Sequence, residues 1–415
     1  MRWLQDLFEK QIQEQIEFAS FVADILQTEL EKRGIQLTTG QKKQLTKGLQ
    51  ERAREDDFDK GVGIQIDDAG NLQVTKEIGN SEFEIDILEG AETKINKILE
   101  DLPSVLNKSA DTESDNLIKD IRRLKNALLR DTQKNQNRFN KLLNKRWGKL
   151  LALLEVFILV SQEIGAEFNE GIRGDPEKEI PPRFEVLSHS HARSCQVALE
   201  ILTLLQNGFA DGAHARWRTL HEIAVETNII NRNDDELAGR YLDHDIVHKR
   251  QSARIFQEHY QELGYKSVTD DEVRELEEAY TRLIQQYGKD FANENGWAAR
   301  LTGKSRPQFK DLEDIADFEH MRPLYKMACL NVHGGARGLL FRLGLSYEGD
   351  ENLLLAGPST NGLANPIQNT AYSLLQITAA LLTYDINLDY LVIIKVLHEL
   401  EQEIFEVTDQ TVHNS

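Results

Sequence analysis

The ten residues from Ala213 to Glu222, AHARWRTLHE, set two histidines, two arginines and an acid on what reads as one helix. At 100° per residue His214, Arg218, His221, Glu222 and Val225 share a face, and Arg218 and Glu222 stand at i,i+4, where they can pair. Arg216 and His221 are five positions apart, about 140° round the helix, so they converge on one substrate only near a helix start, a kink or a dimer cleft. Arginine and histidine without a metal suit phosphodiester cleavage in RNA. An imidazole exchanges a proton with the attacking 2'-hydroxyl or the leaving 5'-oxygen while a guanidinium holds the phosphate oxygens. The 2'-hydroxyl is then the nucleophile, so DNA resists. The rival reading is a structural Arg–Glu pair with packed imidazoles.

Six of the eleven histidines, His189, His191, His214, His221, His244 and His248, fall between positions 189 and 248. His191 and Arg193 on the preceding helix could reach the same cleft. His244 and His248 in YLDHDIVHK sit one helical turn apart, a spacing that can bind one metal ion with Asp243 or Asp245 as a third ligand. That pair also fits a surface or packing role, and no metal is expected on the main reading. His333 in NVHGGARG follows an apolar helix and precedes a Gly-Gly pair, so it either caps that helix or joins the site. There is no Walker loop, G-x-S-x-G or GxGxxG, so no cofactor is expected.

The elements that must position these residues are mostly helical. Residues 3 to 32 carry Leu4, Phe8, Ile12, Ile16, Phe18, Val22 and Ile25 at mostly three- and four-residue steps, and a second short helix covers 39 to 55. Past Gly61 the period becomes two: Ile64, Ile66 and Leu72, Val74 flank an Asp-Asp-Ala-Gly turn, and SEFEIDI alternates again, so a small antiparallel sheet is expected. From Ala91 to about Asn169 the helical period returns, interrupted by NKSADTESDN at 107 to 116. Residues 118 to 149 hold eleven Lys or Arg against two Asp, threaded by Ile121, Leu124, Leu128, Phe139, Leu142, Leu143 and Trp147. One face of that segment should pack while Arg122, Arg123, Lys145 and Arg146 offer a cationic surface, either merely solvated or gripping a polyanion.

GIRGDPEKEIPP, residues 171 to 182, marks a boundary. Beyond it helices are expected over 184–207, 210–230, 234–262, 269–290, 311–332, 367–384 and 388–407. The organisation is then 1–60 N-terminal helices, 61–90 a small β element, 91–170 long helices and 183–410 a helical domain. The fold class is mainly α.

The chain of 415 residues carries 49 Lys and Arg against 69 Asp and Glu, a net charge of -20, which disfavours broad attraction to nucleic acid or anionic membranes. Binding to a polyanion must be local. Two distant cysteines, Cys195 and Cys329, suggest neither a zinc ribbon nor a disulfide framework and fit a reducing cytoplasm. The most apolar run, LLALLEVFILV at 150 to 160, is too short for a bilayer, and MRWLQDLFEKQ lacks a signal core, so no membrane role is expected.

The blocks HARSCQVALEILTLLQNGFADGAHARWRTLHE, RYLDHD, NVHGGARG and LLLAGPSTNGLANP followed by SLLQIT make residues 184 to 390 resemble a bacterial family of unknown function. That family looks like a relative of the all-helical HEPN proteins, whose ribonuclease members carry an Arg and a His four to six residues apart and usually work as dimers. Arg216 to His221 satisfies R-x4-H, with Trp217 standing where a polar residue often follows the arginine. The resemblance implies a helical bundle, phosphate binding by Arg216, acid or base catalysis by His221 and a homodimer. It also implies an intracellular toxin or anti-phage effector acting on RNA, with an antitoxin or defence-system partner. Arg218, Glu222 and His333 form the second catalytic tier, and His191, Arg193, His214, Arg122, Arg123, Lys145 and Arg146 the substrate-binding set. The alternatives are a non-catalytic helical interaction module and a metal-dependent hydrolase built on His244 and His248.

Overall fold

The computed structural model describes residues 18–53, 63–75, 85, 87–174, 177, 179–345 and 354–413. The chain divides into two compact units, Met1–Leu129 and Arg130–Ser415. The protein is mainly α, with one small antiparallel sheet.

In the first unit α1 (Phe18–Lys32) and α2 (Thr39–Ala53) pack together, and a hairpin of β1 (Gly63–Ile66) and β2 (Leu72–Thr75) lies on α2. Val22, Leu26, Leu30, Leu45, Leu49 and Leu72 form its core. The hairpin register pairs Ile64 with Val74 and Ile66 with Leu72. The Asp67 carboxylate closes the turn by accepting from the Ala69 and Asn71 amides at 3.0 and 2.8 Å, and Gly70 takes φ +85°, where a side chain would be strained. Gly48 lets α2 approach the hairpin, since a Cβ there would meet Val74 Cγ2 at 2.5 Å. Of the expected N-terminal helix, residues 3–17 lie outside the described residues, as does most of the second alternating stretch, 81–87.

The polar stretch at 107 to 116 does not interrupt anything: α3 runs unbroken over Ile87–Arg173. Its hydroxyls turn back onto their own helix, Thr112 Oγ1 to the Lys108 carbonyl and Ser114 Oγ to that of Asp111, both at 2.8 Å. Polar side chains satisfied in this way cost a helix little. The apolar face expected to pack along 118–149 does so only at its end. Leu143 and Trp147 are buried, whereas Ile121, Leu124, Leu128 and Leu142 are exposed.

The second unit gathers the C-terminal part of α3 with α4 (Pro182–Gln206), α5 (Ala210–Asn231), α6 (Asp235–Asp243), α7 (Asp245–His259), α8 (Asp270–Tyr287), α9 (Ala299–Thr302), α10 (Phe309–Ala316), α11 (Arg322–Val332), α12 (Ala336–Leu340), α13 (Ala364–Leu382) and α14 (Leu388–His413). α5 is the central element, packed on α4, α13, α11 and α10. Trp217, Leu220, Ala224 and Val225 sink it into a core that also holds Trp147, Leu154, Leu202, Leu312 and Leu374. Trp217 Nε1 donates to the Asn369 carbonyl and to Ser373 Oγ, both at 3.0 Å, which ties α5 to α13.

Two expected helices are divided. The 234–262 helix kinks at His244, where α6 passes into α7, and the 311–332 helix is broken at Asp317, whose φ of +62° ends α10. No helix among the described residues is long and apolar enough to cross a membrane.

A cleft beside the central helix

α5 presents its histidines inward and its charges outward. His214 is fully buried and stacks on Trp217 with ring centroids 5.4 Å apart, and neither of its nitrogens has a partner. His221 is also fully buried. Its Nε2 meets Glu313 Oε1 of α10 at 3.0 Å, and the rings of Trp217, Phe309, Phe318 and Tyr325 surround it. Glu313, itself buried, accepts from Arg322 Nε at 2.8 Å. Arg216 points the other way and pairs with Glu200 of α4, which Arg193 approaches at 3.8 Å. The helix is unbroken between them, and with Arg216 on Glu200 and His221 buried against Glu313 the two side chains do not converge within one chain.

His191 is core as well. It is buried, bonded to Thr378 Oγ1 at 3.2 Å, and set so close to α3 that a Cβ on Gly165 would meet its Cε1 at 2.1 Å. Burial pushes the imidazoles of both His191 and His214 down to about 4. An unfolded histidine takes its proton near 6.5. The folded state therefore binds fewer protons between these values, so both contributions are intact above pH about 6.5 and fade as pH falls toward 4. Denaturant midpoints should drop across that window, and His214→Leu should flatten the drop while leaving stability at pH 7 within about 1 kcal/mol, because an unpartnered imidazole is replaced by an apolar side chain.

The outward face opens into a cleft of about 490 Å³, lined by Arg218, Glu222 and Glu226 of α5, Tyr241, His244, Asp245 and His248 of α6 and α7, Trp297, Phe309 and Tyr325 among others. Arg218 pairs with Glu222 at 2.9 Å and donates Nε–H to the Tyr325 hydroxyl at 3.1 Å, which in turn donates to Glu222 at 2.7 Å. One turn on, Glu226 accepts from the Tyr241 hydroxyl at 2.8 Å. Burial, opposed by that hydrogen bond and aided by the charge of Glu222, pushes the Glu226 carboxyl up to about 7. Burial and Glu226 drive the Tyr241 phenol well above its ordinary value, so it stays a donor. Phe309 and Tyr325 are shared: they line the cleft on one side and contact His221 on the other.

His244 and His248 stand with ring centroids 5.1 Å apart, but His244 Nε2 is bonded to the Asn293 carbonyl at 2.9 Å. Asp243 accepts from Tyr287 at 2.7 Å and Asp245 pairs with Lys249 at 2.6 Å. Among the described residues no group of three or more His, Cys, Asp or Glu is set to hold a metal ion. The imidazole pair has no third ligand among them. His333 occupies the C-cap of α11 and is exposed. Of the basic residues, Arg122 and Arg123 belong to the first unit and Lys145 and Arg146 to the second; Arg123 pairs with Asp120 at 2.9 Å and Arg146 donates to Asn361 at 3.1 Å.

Sequence reading misses Glu226 and Tyr241. The signal for the first is present, since Arg218, Glu222 and Glu226 follow at i,i+4 steps along one face. Tyr241 comes from a different helix, and nothing in its neighbours marks it.

Fold and site thus define a helical unit with an acid–base cleft beside its central helix. Residues 184–352 match the profile of a family of unknown function, DUF5677. A probable ATP-dependent RNA helicase, spindle-E of Drosophila persimilis, is 30% identical over 105 residues, which are 25% of this chain and 6% of that protein. The chain therefore spans a small fraction of that relative. No solved structure matches.

Proposed function

We propose that the second unit is a metal-independent endoribonuclease working in the cleft of Arg218, Glu222, Glu226, Tyr241, His248 and Tyr325. The observation that carries this reading is Glu226, a carboxyl poised near 7 in a concave site that also holds a guanidinium and an imidazole. A group half ionised at neutral pH is suited to accept a proton. Glu226 takes the proton from the 2'-hydroxyl as its oxygen attacks phosphorus, and the bond to the 5'-oxygen breaks as His248 delivers a proton to it. The products are a 2',3'-cyclic phosphate and a free 5'-hydroxyl. Arg218, which keeps N–H groups beyond those it gives to Glu222 and Tyr325, stabilises the phosphorane oxygens. Phe309 and Tyr241 give the cleft part-exposed aromatic walls on which a base can stack, with Trp297 and Tyr325 buried behind them.

Most of the acidic charge in the cleft is offset. Glu222 is neutralised by Arg218 and Asp245 by Lys249, and Glu226 is only partly ionised at neutral pH, which leaves Glu294 as the lining acid whose charge the phosphate must approach. The short similarity to a protein named as an RNA helicase favours RNA over other phosphodiesters. Arg216 and His221 pass from catalyst to scaffold in this reading. His221 stands behind the wall that Phe309 and Tyr325 present to the cleft. An anti-phage or toxin setting with a restraining partner protein fits an enzyme whose acidic chain has little general affinity for RNA.

The pH dependence tests the assignment. The base form of Glu226 grows as pH rises, so cleavage of a defined RNA oligonucleotide should increase about tenfold per pH unit below about 7, and it should fall again at higher pH once His248 no longer holds the proton it must deliver. A rate that is flat from pH 5 to pH 8 removes Glu226 from the chemistry.

A second reading, a non-catalytic interaction module, is favoured by one observation: the arginine and histidine of the R-x4-H pattern are both engaged in ties between helices, Arg216 to Glu200 and His221 to Glu313. In that case the cleft binds without cleaving, and Glu226→Gln changes binding alone.

A further inference from the structure

The first unit contains a feature that the cleft does not use. Over Leu117–Leu128 of α3, side chains that would normally be hidden face water: Leu117 is 49% exposed, Ile121 52%, Leu124 48% and Leu128 56%, with exposed Ile118 and Leu129 beside them. A run of large exposed apolar residues on one helix is a mark of an interface rather than of a free surface.

Their spacing is four, three and four. That places Leu117 and Leu124 at d and Ile121 and Leu128 at a of two successive heptads, the seam of a left-handed coiled coil. In a parallel coil, Ile121 at a between leucines at d favours two strands, and Leu128 fills the second a position. The flanking charges agree. Asp120 falls at g and Lys125 at the following e, so in a parallel, in-register pair each Asp120 faces the Lys125 of the other strand, twice by symmetry. In the antiparallel alternative Asp120 faces Ala127 and Lys125 faces Ile118, and neither pair forms. Lys125 makes no ion pair among the described residues, and Asp120 has only an exposed contact to Arg123 on its own helix.

We infer that residues 117–128 of α3 form a parallel two-stranded coiled coil with a second copy of this chain. The strand is already helical in the single chain, so association does not carry the cost of ordering it. Two heptads bury little area, and the expected dimer is reversible, with a dissociation constant of roughly micromolar order.

Sedimentation equilibrium of the full-length protein from about 0.5 to 50 µM tests this, bracketing that constant. The wild type should shift from monomer to dimer across the range. Ile121→Lys with Leu124→Lys should be monomeric throughout at unchanged helicity and melting temperature, because both side chains are exposed. Asp120→Lys alone sets lysine against Lys125 and should weaken the dimer about tenfold, and Asp120→Lys with Lys125→Asp should restore it. A wild type that stays monomeric overturns the inference and leaves the seam to a different protein. A dimer indifferent to the two lysines overturns the location, and a charge swap that fails to rescue overturns the parallel pairing. None of these readouts depends on ribonuclease activity.

Discussion

Glu226→Gln is expected to lower the rate of RNA cleavage about a thousandfold, within the range that loss of a positioned general base produces. The replacement keeps the size of the side chain and can still accept from the Tyr241 hydroxyl, which lies 2.8 Å from the carboxylate. It removes only the capacity to take a proton. Stability should therefore hardly change, and a thermal melt beside the kinetic assay separates the two effects. The pH profile should change as well: the rise through pH about 7 that belongs to the wild type should vanish from the residual activity. Arg218→Ala makes a useful contrast. It strips Tyr325 and Glu222 of a partner at once, so it should disturb binding and folding together. A fall in rate after Arg218→Ala is therefore the weaker evidence for catalysis.

Glu313→Ala should destabilise the fold more than any of the substitutions in the cleft, by about 2 to 3 kcal/mol, the cost of leaving buried hydrogen-bonding groups without their partner while Arg322 keeps Asp314 and the Lys310 carbonyl. Glu313 is buried and bridges His221 at 3.0 Å and Arg322 at 2.8 Å. His221 Nδ1 already lacks a partner, so without Glu313 both ring nitrogens are buried and unsatisfied. His221→Leu should cost less, about 1 to 2 kcal/mol, because Glu313 keeps Arg322 and the leucine fills most of the space between Trp217 and Tyr325. The order of the two is the discriminating result. Chemical denaturation of both variants at pH 7 measures it. If His221→Leu is instead the more damaging, the network is not held by Glu313 in the way its geometry implies.

The bundle is readable in the sequence because amphipathic helices announce themselves by period. The helices over residues 184 to 230 fall almost to the residue where the period puts them, and the Ile64, Ile66, Leu72, Val74 hairpin follows from its alternation and its Asp-Asp-Ala-Gly turn. The continuity of α3 through 107–116 is not readable, since a polar run looks like a break unless its hydroxyls are known to bond back to the helix. The site is legible only in part. The Arg218–Glu222 pair follows from i,i+4 spacing and is present at 2.9 Å. The fates of Arg216 and His221 are set by Glu200 and Glu313, which lie 16 and 92 positions away and enter from other helices. Helix periodicity tells which residues share a face, but not which acid will arrive from elsewhere to meet them. The same limit hides the burial that raises the Glu226 carboxyl and the Tyr241 hydroxyl that meets it.

The most direct test of the central claim is the chemistry of the cut ends. Purified full-length protein is incubated in EDTA at pH 8 with a defined RNA oligonucleotide and with the same sequence in which the ribose residues are 2'-deoxy. Fragments ending in 2',3'-cyclic phosphate, from the RNA alone and absent with Glu226→Gln, are the expected result. Cleavage of the deoxy strand, or RNA left intact by the wild type in EDTA and cut once divalent metal is restored, would contradict a metal-independent site built on Glu226.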